Sequence, residues 1–188
     1  FTGDNDAGLT ITEAIKITAA TVDIDSTLTV ETENTIQGGS ISVIAQDSLT
    51  LTGNALVTAN SDAGEGGEII LTATDISLES GATVEATGAT GGGDILIGGD
   101  WQGGANEDYR VFDDPDAIPE ATTVTIASDV TVDASATQNG NGGTIVVWSD
   151  VSNTDSVTTV AGTLNAKGGA EGGNGGMIET SGYRLDVT

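Results

Sequence analysis

The sequence predicts an all-β chain wound as a parallel β-solenoid, with three short strands in each coil. Three observations carry this. The motif Gly-Gly-x-Ile occurs five times, at Gly38–Ile41, Gly66–Ile69, Gly92–Ile95, Gly142–Ile145 and Gly175–Ile178. Each copy is followed by further short segments in which apolar and polar residues alternate, the pattern of a strand with one buried face. The composition is rich in Gly, with 28 residues, and poor in Pro and aromatics, with two and six; with abundant Thr and Val, this favours strands and tight turns over helices.

The first strand of each unit begins at the motif's Ile. Two residues later come Val43, Leu71, Ile97, Val147 and Thr180, so Ile41, Ile69, Ile95, Ile145 and Ile178 head an inward column with these partners. The second strand reads Leu49-Thr50-Leu51, Ile76-Ser77-Leu78, Val124-Thr125-Ile126, Val157-Thr158-Thr159 and Leu185-Asp186-Val187. The third reads aliphatic-polar-Ala, at Val57–Ala59, Val84–Ala86, Val132–Ala134 and Leu164–Ala166. Val22–Ile24 and Leu28–Val30 look like second and third strands of a unit before the first motif. A single unit cannot bury its apolar side, whereas stacked units can. About five to six coils, roughly 4.8 Å apart, are expected. A β-sandwich with regular turns is the competing architecture, but it does not need the same glycine corner at every unit.

The glycines Gly39, Gly67, Gly93, Gly143 and Gly176 are read as structural turns. Glycine at such a corner permits φ > 0 and lets neighbouring coils approach without a Cβ. In Gly168–Gly182, "GGAEGGNGGMIETSG", this predicts an ordered turn with Ile178 stacked on Ile145. Gly176→Val is expected to destabilise and Gly169→Ser to be mild.

The spacing between motif isoleucines is 28, 26, 50 and 33 residues. The 50 contains an insertion, residues 98–121, "GGDWQGGANEDYRVFDDPDAIPEA", which carries Trp101, Tyr109 and Phe112, both prolines and Arg110. A loop this long is usually packed or functional. Ile70, Leu96 and Val146 face outward on the first strands, flanked by inward aliphatics, and a strand apolar on both faces is usually covered. The insertion is therefore expected to fold over this face, anchored by Trp101 or Phe112. The alternative is an exposed aromatic patch for a carbohydrate or protein partner.

Charge excludes several classes. There are 29 acidic residues against four basic ones, a formal net charge of −25. Too few cations are present to neutralise nucleic-acid phosphates or to hold an anionic membrane surface. There is no histidine and no cysteine, which removes the commonest general base, the commonest zinc ligand, thiolate sites and disulfides. No apolar run is long enough to span a bilayer, and Phe1 opens without a signal-peptide pattern. The glycine loops fit neither GxGxxG nor the P-loop, because the third glycine is replaced by Ile178 or Ile145 and neither Lys16 nor Lys167 is followed by Ser or Thr. Neither the β-roll calcium repeat nor the EF-hand is present, so no cofactor is expected beyond incidental calcium on acidic loops. Paired carboxylates could serve a polysaccharide-active β-helix enzyme, but a polyuronate would be repelled. Outward Thr50, Ser77, Thr125 and Thr158 form a hydroxyl column; threonine is also simply a good exposed strand residue.

The strings Gly98–Gly103 "GGDWQG", Asn139–Asp150 "NGNGGTIVVWSD" and Gly172–Gly182 "GGNGGMIETSG" resemble the repeat region of filamentous-haemagglutinin-like exoproteins, the passengers of two-partner secretion systems. The resemblance covers Gly92–Thr188; before that it rests on general repeat character. It implies a right-handed parallel β-helix, export through an outer-membrane transporter, and a role in adhesion, biofilm matrix or contact-dependent competition. It carries over no catalytic residue. The family's secretion domain bears an Asn-Pro-Asn-Gly motif that is not found here, so the resemblance implies passenger shaft rather than secretion domain.

The expectation is a single solenoid segment, residues 1–188, of a longer extracellular shaft or filament. Leu185–Thr188 stops inside a second strand, with no polar capping unit of the kind solenoid ends need. Its partners would be neighbouring solenoid segments or copies of itself end to end, with glycans or surface proteins as further candidates. The alternatives are a binding module that uses residues 98–121 and a polysaccharide-active enzyme.

Overall fold

A computed structural model describes residues 9–11, 14–30, 37–105, 107–108 and 118–188. Every named strand in it pairs in parallel. Strand β1 (Leu9–Ile11) is followed by β2 (Ala14–Ile24) and β3 (Thr27–Val30), then by β4 (Ser40–Leu51) and β5 (Leu56–Thr58). The next repeat is β6 (Glu68–Thr72), β7 (Asp75–Leu78) and β8 (Thr83–Glu85). After it come β9 (Asp94–Ile97), β10 (Thr123–Ile126) and β11 (Thr131–Asp133), with the insertion between β9 and β10. The last repeats hold β12 (Thr144–Trp148), β13 (Val157–Val160) and β14 (Thr163–Asn165), then β15 (Met177–Ser181) and β16 (Arg184–Val187).

Each strand pairs with its equivalent one repeat away, which makes the fold all-β and solenoid-like. The third strands form one sheet, β1-β3-β5-β8-β11-β14. The first and second strands form the other, which forks at β4: one branch runs β4-β6-β9-β12-β15 and the other β4-β7-β10-β13-β16. The fork differs from the three separate strands expected of every unit. In β2 and β4 the first and second segments are one continuous strand, and only from β6 onward does the chain break between them. The β2 residues Ile15 and Ile17, in register with Ile41 and Val43, are a first strand that no Gly-Gly precedes.

The inward columns are the core. Ile41, Ile69, Ile95 and Ile145 stand in register and are fully buried, and each such side chain contributes roughly 1.5–3 kcal/mol by leaving water. Ile178 continues the column below Ile145, with one side open. One second-strand register differs from the expected one. Val124 pairs with Thr158 and Thr125 with Thr159, so the outward hydroxyl column is Thr50, Ser77, Thr125 and Thr159, while Thr158 points inward and is fully buried. Its hydroxyl is accommodated there because it meets Ser149 Oγ at 2.9 Å and donates to the Ser181 carbonyl at 2.7 Å.

The glycine corner is held by two sets of backbone bonds. Within each repeat, Gly67, Gly93, Gly143 and Gly176 donate their N–H to the carbonyls of Ala59, Ala86, Ala134 and Ala166, at 2.7, 2.8, 2.8 and 2.8 Å. Between repeats, Glu68, Asp94, Thr144 and Met177 donate to the carbonyls of Gly39, Gly67, Gly93 and Gly143, at 3.0, 3.0, 3.0 and 2.9 Å. A Cβ on Gly67, Gly93, Gly143 or Gly176 would lie 1.9–2.0 Å from the carbonyl oxygen of the preceding corner glycine. None of these glycines has positive φ, so the expectation that the corner uses left-handed backbone is corrected: glycine is required by close approach alone.

The long turn at 168–176 is ordered against the preceding repeat. Gly140 N–H donates to Gly172 O at 2.8 Å, Gly169 N–H to Gly140 O at 3.0 Å and Glu171 N–H to Gln138 O at 2.7 Å. Left-handed backbone does occur here, at Gly140 (φ 105°), Gly172 (φ 157°) and Gly173 (φ 133°). Gly169 is no spacer, since its Cβ would lie 2.6 Å from Asn139 N and the Gln138 carbonyl; the expected mildness of Gly169→Ser is corrected on that ground.

Gly143→Ala should destabilise this chain by about 3 kcal/mol or more, because neither the Gly93 carbonyl nor the ladder can retreat. Gly175→Ala should change stability by less than about 0.5 kcal/mol, since a Cβ there meets only Ala166 O, at 3.6 Å. Urea unfolding of the two variants checks the contrast.

Candidate functional site: the covered outer face

The outward middle positions of the first strands line up as Lys16, Ser42, Ile70, Leu96, Val146 and Glu179. Polar residues stand at both ends and three aliphatics in the middle. That middle is buried, with Ile70 5 % exposed and Leu96 and Val146 fully covered. They form a second apolar cluster with Ile118 and Trp148, against which Trp101 packs.

The flanks of the insertion make this cover. The chain leaves β9 through Gly98 (φ 84°), whose N–H donates to Leu71 O at 2.8 Å. A Cβ on Gly99 would lie 2.5 Å from Trp148 Cδ1, so the indole lies directly on that backbone. Buried Asp100 accepts the Trp101 N–H at 2.7 Å and caps a single 3-10 turn, Trp101–Gly104. Gln102 in that turn holds φ 51°, the left-handed region a non-glycine residue seldom occupies. Its N–H donates to Glu179 Oε2 at 2.8 Å. The returning chain brings in Ile118; Thr72 Oγ1 donates to Pro119 O at 2.5 Å, and Ala121 N–H to Gly98 O at 2.7 Å. The cover thus touches β6, β9, β12 and β15.

Of the residues singled out from sequence, Ile70, Leu96, Val146 and Trp101 meet in this cluster, and Gly39, Gly67, Gly93, Gly143 and Gly176 line the corner away from it. Tyr109, Arg110 and Phe112 lie outside the described residues. Sequence reasoning missed Trp148 and Ile118. Trp148 was legible: the outward alternation Thr144, Val146 continues to it two residues later. Ile118, flanked by Pro119 and acids, belongs to no periodic pattern.

Acids border the cover. Glu68 and Asp94 are neighbours in register at the start of β6 and β9. Burial holds the Asp94 carboxyl above the ordinary Asp range, the Thr144 hydrogen bond opposes this, and the charges of Asp100 and Glu65 add to it. Burial likewise raises Glu68, with the charges of Asp94 and Asp100 adding to it. At the return, partial desolvation raises Glu120, Asp150 raises it further by charge and hydrogen bond, and the hydrogen bond of the Trp148 indole opposes this. Asp150 is held low by the hydroxyl and N–H of Ser152. Among the described residues no group of three or more His, Cys, Asp or Glu is arranged to hold a metal ion. The arrangement is an apolar seal with an acidic border.

Asp94 supplies a test of that border. Its folded-state value lies above 3.8, so its ionised form costs stability at neutral pH. That cost is relieved as pH falls through the raised value and is gone below the unfolded value. Asp94→Asn, which keeps an acceptor for Thr144, should therefore raise the urea midpoint at pH 7, and the gain should vanish near about pH 3.5.

No protein-family model matches the chain, and no curated protein matches it. The crystal structure of the HMW1 secretion domain from Haemophilus influenzae is similar in fold, with a TM-score of 0.72 and 21 % sequence identity. The match covers 96 % of this chain and 44 % of that one, so the chain spans less than half the length of the domain it resembles.

Proposed function

We propose that this chain is a structural and adhesive shaft segment of a secreted surface or matrix exoprotein. In this reading it is a right-handed parallel β-helix of about five to six coils with one insertion, 98–121, laid on its side. The observation that carries the reading is the parallel pairing, which runs from β2 to β15 through four intervening strands of one branch. A ladder of this kind makes a rod, and its repeated inward columns form the core rather than a site. The fold likeness to a secretion domain supports export. The shaft assignment, rather than a secretion domain, rests on the missing Asn-Pro-Asn-Gly motif.

The partners proposed are neighbouring solenoid segments or further copies of this chain, end to end. Ile178, Leu185 and Val187 stand in inward columns with open sides, and parallel strands would add along β14, β15 and β16 by ladder bonds. With net charge −25 the rod does not bind nucleic acid. It is neither membrane-inserted nor an enzyme. A second reading, a glycan- or protein-binding module, is favoured by Trp101, which remains partly exposed at the edge of the cover.

Negative-stain microscopy and sedimentation of the purified chain, with a polysaccharide-retention assay on wild type and Trp101→Ala, test this. Elongated particles that associate end to end, without glycan retention, are expected. Specific retention that Trp101→Ala abolishes would replace the shaft reading with the binding module, and release of new reducing ends would replace it with an enzyme.

A further inference from the structure

Three Asn-Gly pairs occur in the sequence, Asn139–Gly140, Asn141–Gly142 and Asn174–Gly175. Such a pair can cyclise, because no Cβ keeps the glycine nitrogen from the asparagine side-chain carbonyl. All three asparagines are exposed, so exposure does not rank them. The glycine N–H does. Gly140 N–H donates to Gly172 O at 2.8 Å, and Gly142 N–H to Asn174 O at 2.9 Å. Gly175 N–H has no acceptor among the described residues.

The repeat explains the difference. The first glycine of each corner donates its N–H one repeat forward. Gly38 donates to Glu65 O at 2.7 Å, Gly66 to Gly91 O at 3.0 Å, Gly92 to Asn141 O at 2.9 Å and Gly142 to Asn174 O. Gly175 is the first glycine of the fifth corner, and β15 and β16 are the edge strands of their branches. No carbonyl is laid over it there. Its surroundings are open, since a Cβ on Gly175 would meet only Ala166 O, at 3.6 Å. The Asn141 side chain is also held, its Oδ1 accepting the Asn174 N–H at 2.9 Å. The Asn174 side chain has no such bond among the described residues.

We propose that Asn174–Gly175 is a self-modification site, at which the chain deamidates in its folded state. Hydroxide takes the Gly175 N–H proton, and the nitrogen attacks Asn174 Cγ. The new N–C bond closes a succinimide, and the side-chain nitrogen leaves as ammonia. Water then opens the ring at either carbonyl, which leaves aspartate or isoaspartate at position 174. The net change is hydrolysis of one amide. At Gly140 and Gly142 the same step must first break a hydrogen bond between repeats, and such opening costs free energy. Either product adds a negative charge to this edge. Isoaspartate also routes the backbone through the former side chain. That inserts a methylene just before Gly176, whose N–H donates to Ala166 O at 2.8 Å, and loosens the corner. The site follows from the edge of the ladder, whether or not shafts associate.

The folded chain is held at mildly alkaline pH, sampled over time and digested with trypsin. Cleavage after Lys167 and Arg184 releases Gly168–Arg184, in which Asn174 is the one asparagine. Asn139 and Asn141 fall in the peptide before it. Mass spectrometry should find Asn174 converted at least about tenfold faster than either of them, with isoaspartate among the products. In concentrated urea the three should convert at similar rates, because the bonds between repeats are gone. Gly175→Ala, whose Cβ has room, should slow conversion of Asn174 in the folded chain. Conversion of Asn174 no faster than that of Asn139 and Asn141 in the folded chain, or the same preference persisting in urea, would overturn the proposal.

Discussion

At the corners of Gly67, Gly93, Gly143 and Gly176 the carbonyl oxygen of the preceding corner glycine occupies the place where a Cβ would be. Everything else in the fold depends on that approach. It brings the N–H of Glu68, Asp94, Thr144 and Met177 within bonding distance of the preceding corner, which fixes where the first strand of every repeat begins. A slip of one residue would turn each inward isoleucine outward. The corner therefore sets register, and register sets the isoleucine column.

A strand placed this way can be apolar on its inner face and still leave a problem on its outer one. Ile70, Leu96 and Val146 are outward by the same register that makes Ile69, Ile95 and Ile145 inward. The insertion solves this locally, with Trp148 and Ile118 filling the space above them and Trp101 at the edge. The solution carries an electrostatic cost. Glu68, Asp94 and Glu120 lose water beside other acids, in a chain whose four bases cannot neutralise 29 acids. The polar ends of the column, Lys16 and Ser42 on one side and Glu179 on the other, lie where no apolar cover is needed.

Most of the architecture was legible because it is periodic. Gly-Gly-x-Ile marks the corner, and alternation marks the faces. Reading failed where periodicity was interrupted. The β2 first strand lacks a preceding Gly-Gly, although Ile15 and Ile17 alternate as they should. Thr158 sits in an inward column because Ser149 and the Ser181 carbonyl satisfy its hydroxyl, which no single strand's pattern reveals. The expectation of left-handed backbone at the corner glycines was the wrong reason: Gly67, Gly93, Gly143 and Gly176 turn without it. Of the candidate site, the aliphatic stripe and Trp101 followed from alternation and from the insertion's aromatics. Ile118 and the meeting of Glu120, Asp150 and Trp148 did not, because they depend on where a non-repeating loop returns.

Repeats stacked in this way need no ligand to explain their inward columns. All of this stands on corner-to-corner pairing. Scalar couplings across hydrogen bonds, measured by NMR on a deuterated 15N,13C-labelled sample, report that pairing directly. The predicted result is a coupling from Thr144 N–H to the Gly93 carbonyl and from Asp94 N–H to the Gly67 carbonyl, each one repeat back. Couplings from these amides to carbonyls within their own repeat, as antiparallel hairpins would give, would contradict it.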